Sequence, residues 1–180
     1  CSMIGSFRKV GPFMSAWTLE RYREANQPIM RELLKAERPL FLLQNIETLR
    51  LTNGWDPIEP RSLLREDFDA LRDNFVPWWG PLWVAGKTVR VAKGEGTFEI
   101  LIAGPYQVEP PVALRIDGVE VHPGGVVELA VGSHRLEATP ADDVDTVILH
   151  TASARAPPEA EPPASDEIFH RLTFRRRPPG

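Results

Sequence analysis

Two hydrophobic periods divide this chain. Residues 62–75, SLLREDFDALRDNF, place Leu64, Phe68, Leu71 and Phe75 at i, i+4, i+7 and i+11, one stripe along a helix. Glu66 and Asp67 fall in its first turn, where the helix dipole favours acids. Upstream, TLERYREANQPIMRELLKAE at 18–37 is also helical in period, with Leu19, Tyr22, Met30, Leu33 and Leu34 apolar. Pro28 interrupts it by removing an amide donor, so the spacing predicts two pieces. The second has Asn26 or Gln27 as cap and Pro28 at its first position. Arg38-Pro39 ends that helix, and LFLLQ at 40–44 is a short buried strand. The following stretch turns repeatedly after about residue 51, at Asn53-Gly54 and two prolines.

After Pro77 the period shortens to two. WVAGKTVRVA, GTFEILIA, PYQVE, VALRID, VEVHP, VVELAVG, SHRLEATP and DTVILH are β-rich runs separated by Gly, Pro and Asp. Such spacing is that of a small antiparallel β-sandwich or barrel. Asp117-Gly118 is a hairpin signal, because glycine accepts positive φ without penalty. Gly94-Glu95-Gly96, Pro123-Gly124-Gly125 and Gly132-Ser133 mark further turns. From about 153 the chain is proline-rich and poor in large apolar groups, which predicts a mobile arm. Within it, EIFHRLTFRRR is a candidate last strand that docks back.

The pattern therefore predicts an α+β fold. A juxtamembrane or loop segment spans 1–17, an α/β segment 18–77, a β-sandwich 78–152 and a Pro-rich tail 153–180. Composition leaves this picture intact. Of 180 residues, 42% are hydrophobic and 26% charged, ordinary for a globular chain. A net charge of −4 gives no footprint for nucleic acid, so no nucleic-acid partner is expected. One cysteine excludes an internal disulfide and a multi-thiolate metal site. No apolar run reaches the roughly 20 residues that span a bilayer. Cys1 in place of an initiator Met leaves three origins open: a lipid-modified first residue of a lipoprotein, the start of a piece of a longer protein, or a residue left by expression. Met3, Ile4, Phe7, Phe13, Met14 and Trp17, interrupted by Arg8 and Lys9, suit either the wet end of a membrane segment or a packed loop.

Candidate chemistry is sparse. His122, His134, His150 and His170 lack the spacing of a metal site, so neither a metal nor a cofactor is expected in this chain. Glu66, Asp67, Asp69 and Asp73 on the helix, and Asp142, Asp143 and Asp145 in a loop, are typical of solvated charges rather than a catalytic pair. Cys1 has no evident histidine partner. Arg171, Arg175, Arg176 and Arg177 form a basic end, read as solvated with anionic lipid as the alternative. No catalytic residue is assigned. The aromatic stretch FVPWWGPLWVAGK at 75–87 holds three of the five tryptophans. Indoles at a helix-to-strand junction generally bury their faces, so Trp83 is expected buried and Trp79 packed on the preceding helix. Trp78 and Tyr106 are the candidate ligand contacts.

Phe75, Val76, Pro77, Trp79, Gly80, Pro81, Val84, Ala85, Gly86 and Lys87, followed by the β-rich order, resemble a particular kind of domain. This is the periplasmic C-terminal region of bacterial membrane glycosyltransferases similar to the dolichyl-phosphate-mannose protein mannosyltransferase family. A histidine often precedes Trp-Gly-Pro there; Trp78 stands in its place. Separately, Ile116-Asp117-Gly118, Gly124 or Gly125, Leu129, Gly132, His134 and Leu136 are similar to PEGA-type surface β modules. The resemblances cover about 18–150, with specific motifs only around 75–90 and 114–138. They imply a periplasmic location, a membrane-embedded remainder of a parent protein as partner, and a glycan or polyprenyl-linked sugar nearby. The family's catalytic acids lie in its membrane portion. The expectation is thus a non-catalytic extracytoplasmic domain aiding acceptor presentation. The alternative is a freestanding envelope module, lipid-anchored through Cys1, that binds glycan or protein.

Overall fold

A computed structural model describes residues 22–44, 51, 63–109, 113–138, 145–154, 156–157, 159 and 161. The segments expected at 1–17, across the turn-rich region after 51 and at the terminal strand 167–177 lie outside the described residues, except Leu51. A helical turn at 22–25 closes where Asn26, at φ 48°, donates its N–H back to the Tyr22 and Arg23 carbonyls. Helix α1 (Met30–Glu37) follows, buries Met30 and Leu34, and ends at Arg38 in the left-handed region. Its start lies two residues beyond Pro28. Asn26 is spent closing the earlier turn, and the cap of α1 comes from elsewhere in the chain, as described below.

Helix α2 (Arg65–Asn74) buries Phe68 and Leu71 as its stripe predicts, and Ala70 beside them. It stops one residue before Phe75, which is already extended at φ −134° and ψ 144°. No loop intervenes. Strand β2 (Phe75–Trp79) starts there, crosses a turn at Gly80-Pro81, and returns as β3 (Leu82–Arg90). The aromatic stretch is therefore a β-hairpin rather than a bare junction, and the boundary expected at 77–78 runs through β2. Pro77 is tolerated because β2 pairs only with β3, leaving its missing amide on an open side. Beyond Pro77 the register slips, so that Trp79 faces Leu82.

The other strands follow the predicted order. They are β1 (Phe41–Leu43) and β4 (Glu95–Ile100), then β5 (Gly104–Glu109), β6 (Leu114–Ile116) and β7 (Val119–Val121). Strands β8 (Val126–Leu129), β9 (Gly132–Ala138) and β10 (Thr146–Thr151) complete the set. A six-stranded sheet has the order β1-β3-β10-β5-β8 with β2 also on β3, and a four-stranded sheet runs β4-β9-β6-β7. Every pairing is antiparallel. Asp117 and Gly118 both have positive φ, 51° and 81°, the backbone that a two-residue turn between β6 and β7 demands. The turn before β4 lies at Lys93-Gly94, and Gly96 belongs to the strand.

Alternation then builds the core. Val108 of β5, Leu136 of β9, and Val147 and Leu149 of β10 are wholly buried between the sheets. Each such side chain contributes about 1.5–3 kcal/mol of transfer free energy. A second cluster joins Met30 and Leu34 of α1 and Phe68 and Leu71 of α2 to Trp83 and Ala85 of β3. On the opposite face of β3, Val84 packs with Val76 and Ala154, while Phe41 and Trp78 lean on them. One strand thus serves the sandwich through Val89, the helices through Trp83 and Ala85, and the outer face through Val84.

Gly86 sits where these layers close. A Cβ there would lie 2.5 Å from the Leu149 carbonyl oxygen and 2.6 Å from Val76 Cγ2. The first contact is backbone inside a sheet and has no room to yield. Gly86→Ala is expected to cost about 2–3 kcal/mol, the upper part of the overpacking range. An unchanged urea midpoint would show that β3 and β10 separate here without penalty.

Candidate functional site

The sequence-selected residues separate once placed. Trp83 is 6% exposed inside the helix-facing cluster. Trp79 is half-buried at the register slip. Tyr106 is 3% exposed, part of the core between the sheets, and its hydroxyl donates to the Ile102 carbonyl at 2.6 Å. Burial pushes its phenol well above the ordinary range. With its ring in the core and its hydroxyl engaged, Tyr106 offers no face to a ligand from outside. The period-two pattern places it there, because Tyr106 and Val108 share the inward row.

Trp78 is half-buried on the outer side, and its neighbours are groups that sequence reasoning passed over. Its indole lies 4.7 Å from the imidazole of His150, centroid to centroid and tilted by 50°. His150 is 2% exposed. Its Nε2 donates to Glu109 Oε1 at 2.8 Å, since a carboxylate only accepts, and Nδ1 lies 3.2 Å from the Thr151 carbonyl. Register explains the meeting: His150 is opposite Gln107 of β5 and Gly86 of β3, and Ile148 is opposite Glu109. A buried histidine therefore anchors a carboxylate that is itself 49% exposed, beside an indole. Of this trio Trp78 alone is a candidate contact on sequence grounds. The alternation in TVILHT, with Val147 and Leu149 inward, is the signal that His150 faces the other way.

A second histidine is locked at the far end of the sandwich. His134 on β9 donates Nδ1–H to Asp117 Oδ2 at 2.6 Å and Nε2–H to the Ala130 carbonyl at 2.9 Å, and stacks 5.5 Å from Phe98. Two acceptors at the two ring nitrogens suit an imidazolium. Burial alone lowers its pKa, but the Asp117 hydrogen bond, the Ala130 carbonyl and the Asp117 charge outweigh it, and the net shift is upward. Asp117 is held below its ordinary value first by the Arg135 amide and then by His134. This arrangement pins the β6–β7 turn to β9.

The pH dependence follows. His134 stabilises fully below its ordinary value of 6.5 and loses that contribution as pH rises through its raised folded value. Asp117 stabilises fully above its ordinary value of 3.8 and loses it as pH falls through its lowered folded value. The pair is strongest between the two ordinary values. Urea midpoints measured from about pH 5 to about pH 9 are expected to fall on the alkaline side, and His134→Gln to flatten that limb. Equal slopes in both proteins would remove the pair from the explanation.

Of the carboxylates expected to be solvated, Asp67 departs. It is fully buried on α2 and accepts from the Tyr22 hydroxyl at 2.5 Å, the Ile29 amide at 3.0 Å and the Met30 amide at 2.8 Å. It is the missing cap of α1. Burial and then this hydrogen bond drive the Tyr22 phenol upward. Asp69 and Asp73 meet Arg65 and Arg72 in surface pairs. Lys87 projects from the inward row of β3, and burial lowers its pKa against the opposing charges of Asp73 and Glu99, with Arg31 adding to the lowering.

Among the described residues no three His, Cys, Asp or Glu side chains gather as a metal site would require, and no helix is long and apolar enough to cross a membrane. Comparison with family models, curated proteins and solved structures finds no match.

Proposed function

We propose that this chain is a non-catalytic extracytoplasmic domain of an integral-membrane glycosyltransferase-like protein. On this reading it sits at the periplasmic face and helps present an acceptor to the membrane-embedded site. The observation that carries the reading is the placement of the resembling stretch. Residues 75–87 form one hairpin in which Gly80-Pro81 makes the turn, Ala85 is wholly buried and Gly86 admits no side chain. Such a hairpin joins the helices to the sandwich through Trp83, Ala85 and Val89.

The test lies in the parent. The complete gene product is expected to contain several membrane spans before residue 1. Deleting residues 18–152 from it is expected to lower sugar transfer from a polyprenyl-phosphate donor while the membrane portion remains folded. A full product without spans would instead favour the freestanding envelope module. Transfer or hydrolysis by the isolated chain would overturn both.

A further inference from the structure

The two sheets end together on one side of the sandwich. Strand β8 is the last of the six-stranded sheet and β7 the last of the four-stranded one. Residues 122–125 join them, and a Cβ on Gly125 would lie 3.2 Å from Val121 Cγ1, so the two edges are neighbours. Among the described residues this side is open. Val119 shares the inward row of β7 with buried Val121, yet it is 59% exposed, and Val126 of β8 is likewise 59% exposed. Val127 of β8 covers the core only in part.

Other edges are blunted in ways that stop a further strand from pairing. Strand β2 carries Pro77 and a register slip. Strands β1 and β7 have three residues each, with Pro39 and Pro123 close by. On β4, Glu99 is held by Arg31 of α1. Strand β8 has no proline, lysine or slip within Val126–Leu129, and its one charge is Glu128. Its backbone is also aimed. The Val108 amide donates to the Gly125 carbonyl, and the Ala152 amide donates to the Pro105 carbonyl. Gly104, Tyr106 and Val108 thus turn their backbone groups toward β8, and Pro105, Gln107 and Glu109 toward β10. By the same alternation Val127 and Leu129 bond to β5, while Val126 and Glu128 point their N–H and C=O groups away from it. The edge offers two donors, two acceptors and one carboxylate.

We infer that residues 168–174, IFHRLTF, add to β8 as a further antiparallel strand, with Arg171 opposite Glu128 and Thr173 opposite Val126. The segment lies outside the described residues, and its pattern, charge and reach select it. Ile168, His170, Leu172 and Phe174 alternate with Phe169, Arg171, Thr173 and Arg175. Because a one-residue slip exchanges the two faces, only this parity turns Arg171 and Arg175 away from the core. It sets Leu172 beside Val127, over the open side at Val119. Arg171 then meets the exposed Glu128, so the one charge on the edge gains its opposite. Between Ala154, packed near Val84 of β3, and Ile168 the chain can extend about 45 Å. Three strand spacings from β3 to β8 require about 15 Å. The inference does not depend on the activity of any parent protein.

The experiment is hydrogen exchange of the 180-residue chain at low salt, followed by ¹H–¹⁵N spectra. The Val126 and Glu128 amides are expected to exchange at least about tenfold more slowly than unpaired amides. Leu172→Pro removes a donor from the added strand and is expected to abolish that protection, while Val108 and Leu136 in the core keep theirs. Should Leu172→Pro fail to fold, Arg171→Glu takes its place. It sets an acid opposite Glu128 and is expected to reduce protection at both amides. Unprotected Val126 and Glu128 amides in the unaltered chain overturn the inference. Protection that survives the substitution also overturns it. So does protection that rises with protein concentration as a dimer forms in sedimentation, which would give the edge to a second copy.

Discussion

Asp67→Ala is expected to lower the unfolding free energy by about 3–5 kcal/mol, summing orphaned buried donors and a lost helix cap. The reasoning runs through what remains after the carboxylate goes. The Met30 amide, at the first turn of α1, is buried and has Asp67 Oδ1 at 2.8 Å. The Ile29 amide reaches both oxygens, at 3.0 and 3.1 Å, but Ile29 is 40% exposed, so water recovers part of its loss. The Tyr22 hydroxyl donates to Oδ2 while accepting from the Leu64 amide at 2.9 Å. One carboxylate thus ties the 22–25 turn, the start of α1 and the start of α2 into a single unit. Asp67→Asn keeps one acceptor oxygen and presents an amide group to donors, so it is expected to recover less than half of the loss. Chemical denaturation of the three proteins, followed by circular dichroism, measures this. A loss below about 1 kcal/mol for Asp67→Ala, the size of an ordinary substitution, would mean that water caps α1 as well as Asp67 does.

That cap was not legible in the sequence, and the reason is physical. Asp67 lies in the first turn of its own helix, where a local rule already accounts for an acid. Its partners are 37, 38 and 45 residues earlier, and no periodicity reports contacts at that distance. The strands after residue 82 were legible for the opposite reason. Their information is local: β9 buries His134, Leu136 and Ala138 in strict alternation, and Asp117-Gly118 encodes its own turn. Strand β2 fell between these cases. Phe75 completes the helical stripe of α2 and also starts a strand, and only its pairing with Ala85 decides the matter. Trp78 could be singled out from the chain. His150 and Glu109 could not be joined to it, because they meet through the register of β10 with β5, which side-chain alternation leaves undetermined.

Trp83→Ala is the second large effect, expected at about 3–5 kcal/mol from transfer and cavity terms together. Trp83 is 6% exposed and projects from β3 into the cluster that holds Met30, Leu34, Phe68 and Leu71. Its strand also pairs with β10, so the indole connects the helical layer to the sheet. Removing it opens a void that the neighbours fill poorly: Ala85 beside it is wholly buried in a sheet, and the two helices are tied through Asp67. Trp83→Phe returns part of the volume and is expected to cost about half as much. The comparison that gives the test its force is Trp78→Ala, at a half-buried position on the opposite face, which is expected to cost about 1 kcal/mol. If the two substitutions prove equally costly in urea unfolding, the helix-facing cluster depends on Trp83 no more than the outer face depends on Trp78. A large gap, with Trp83→Ala the costlier, places the stabilising indole of this hairpin on the face that meets the helices.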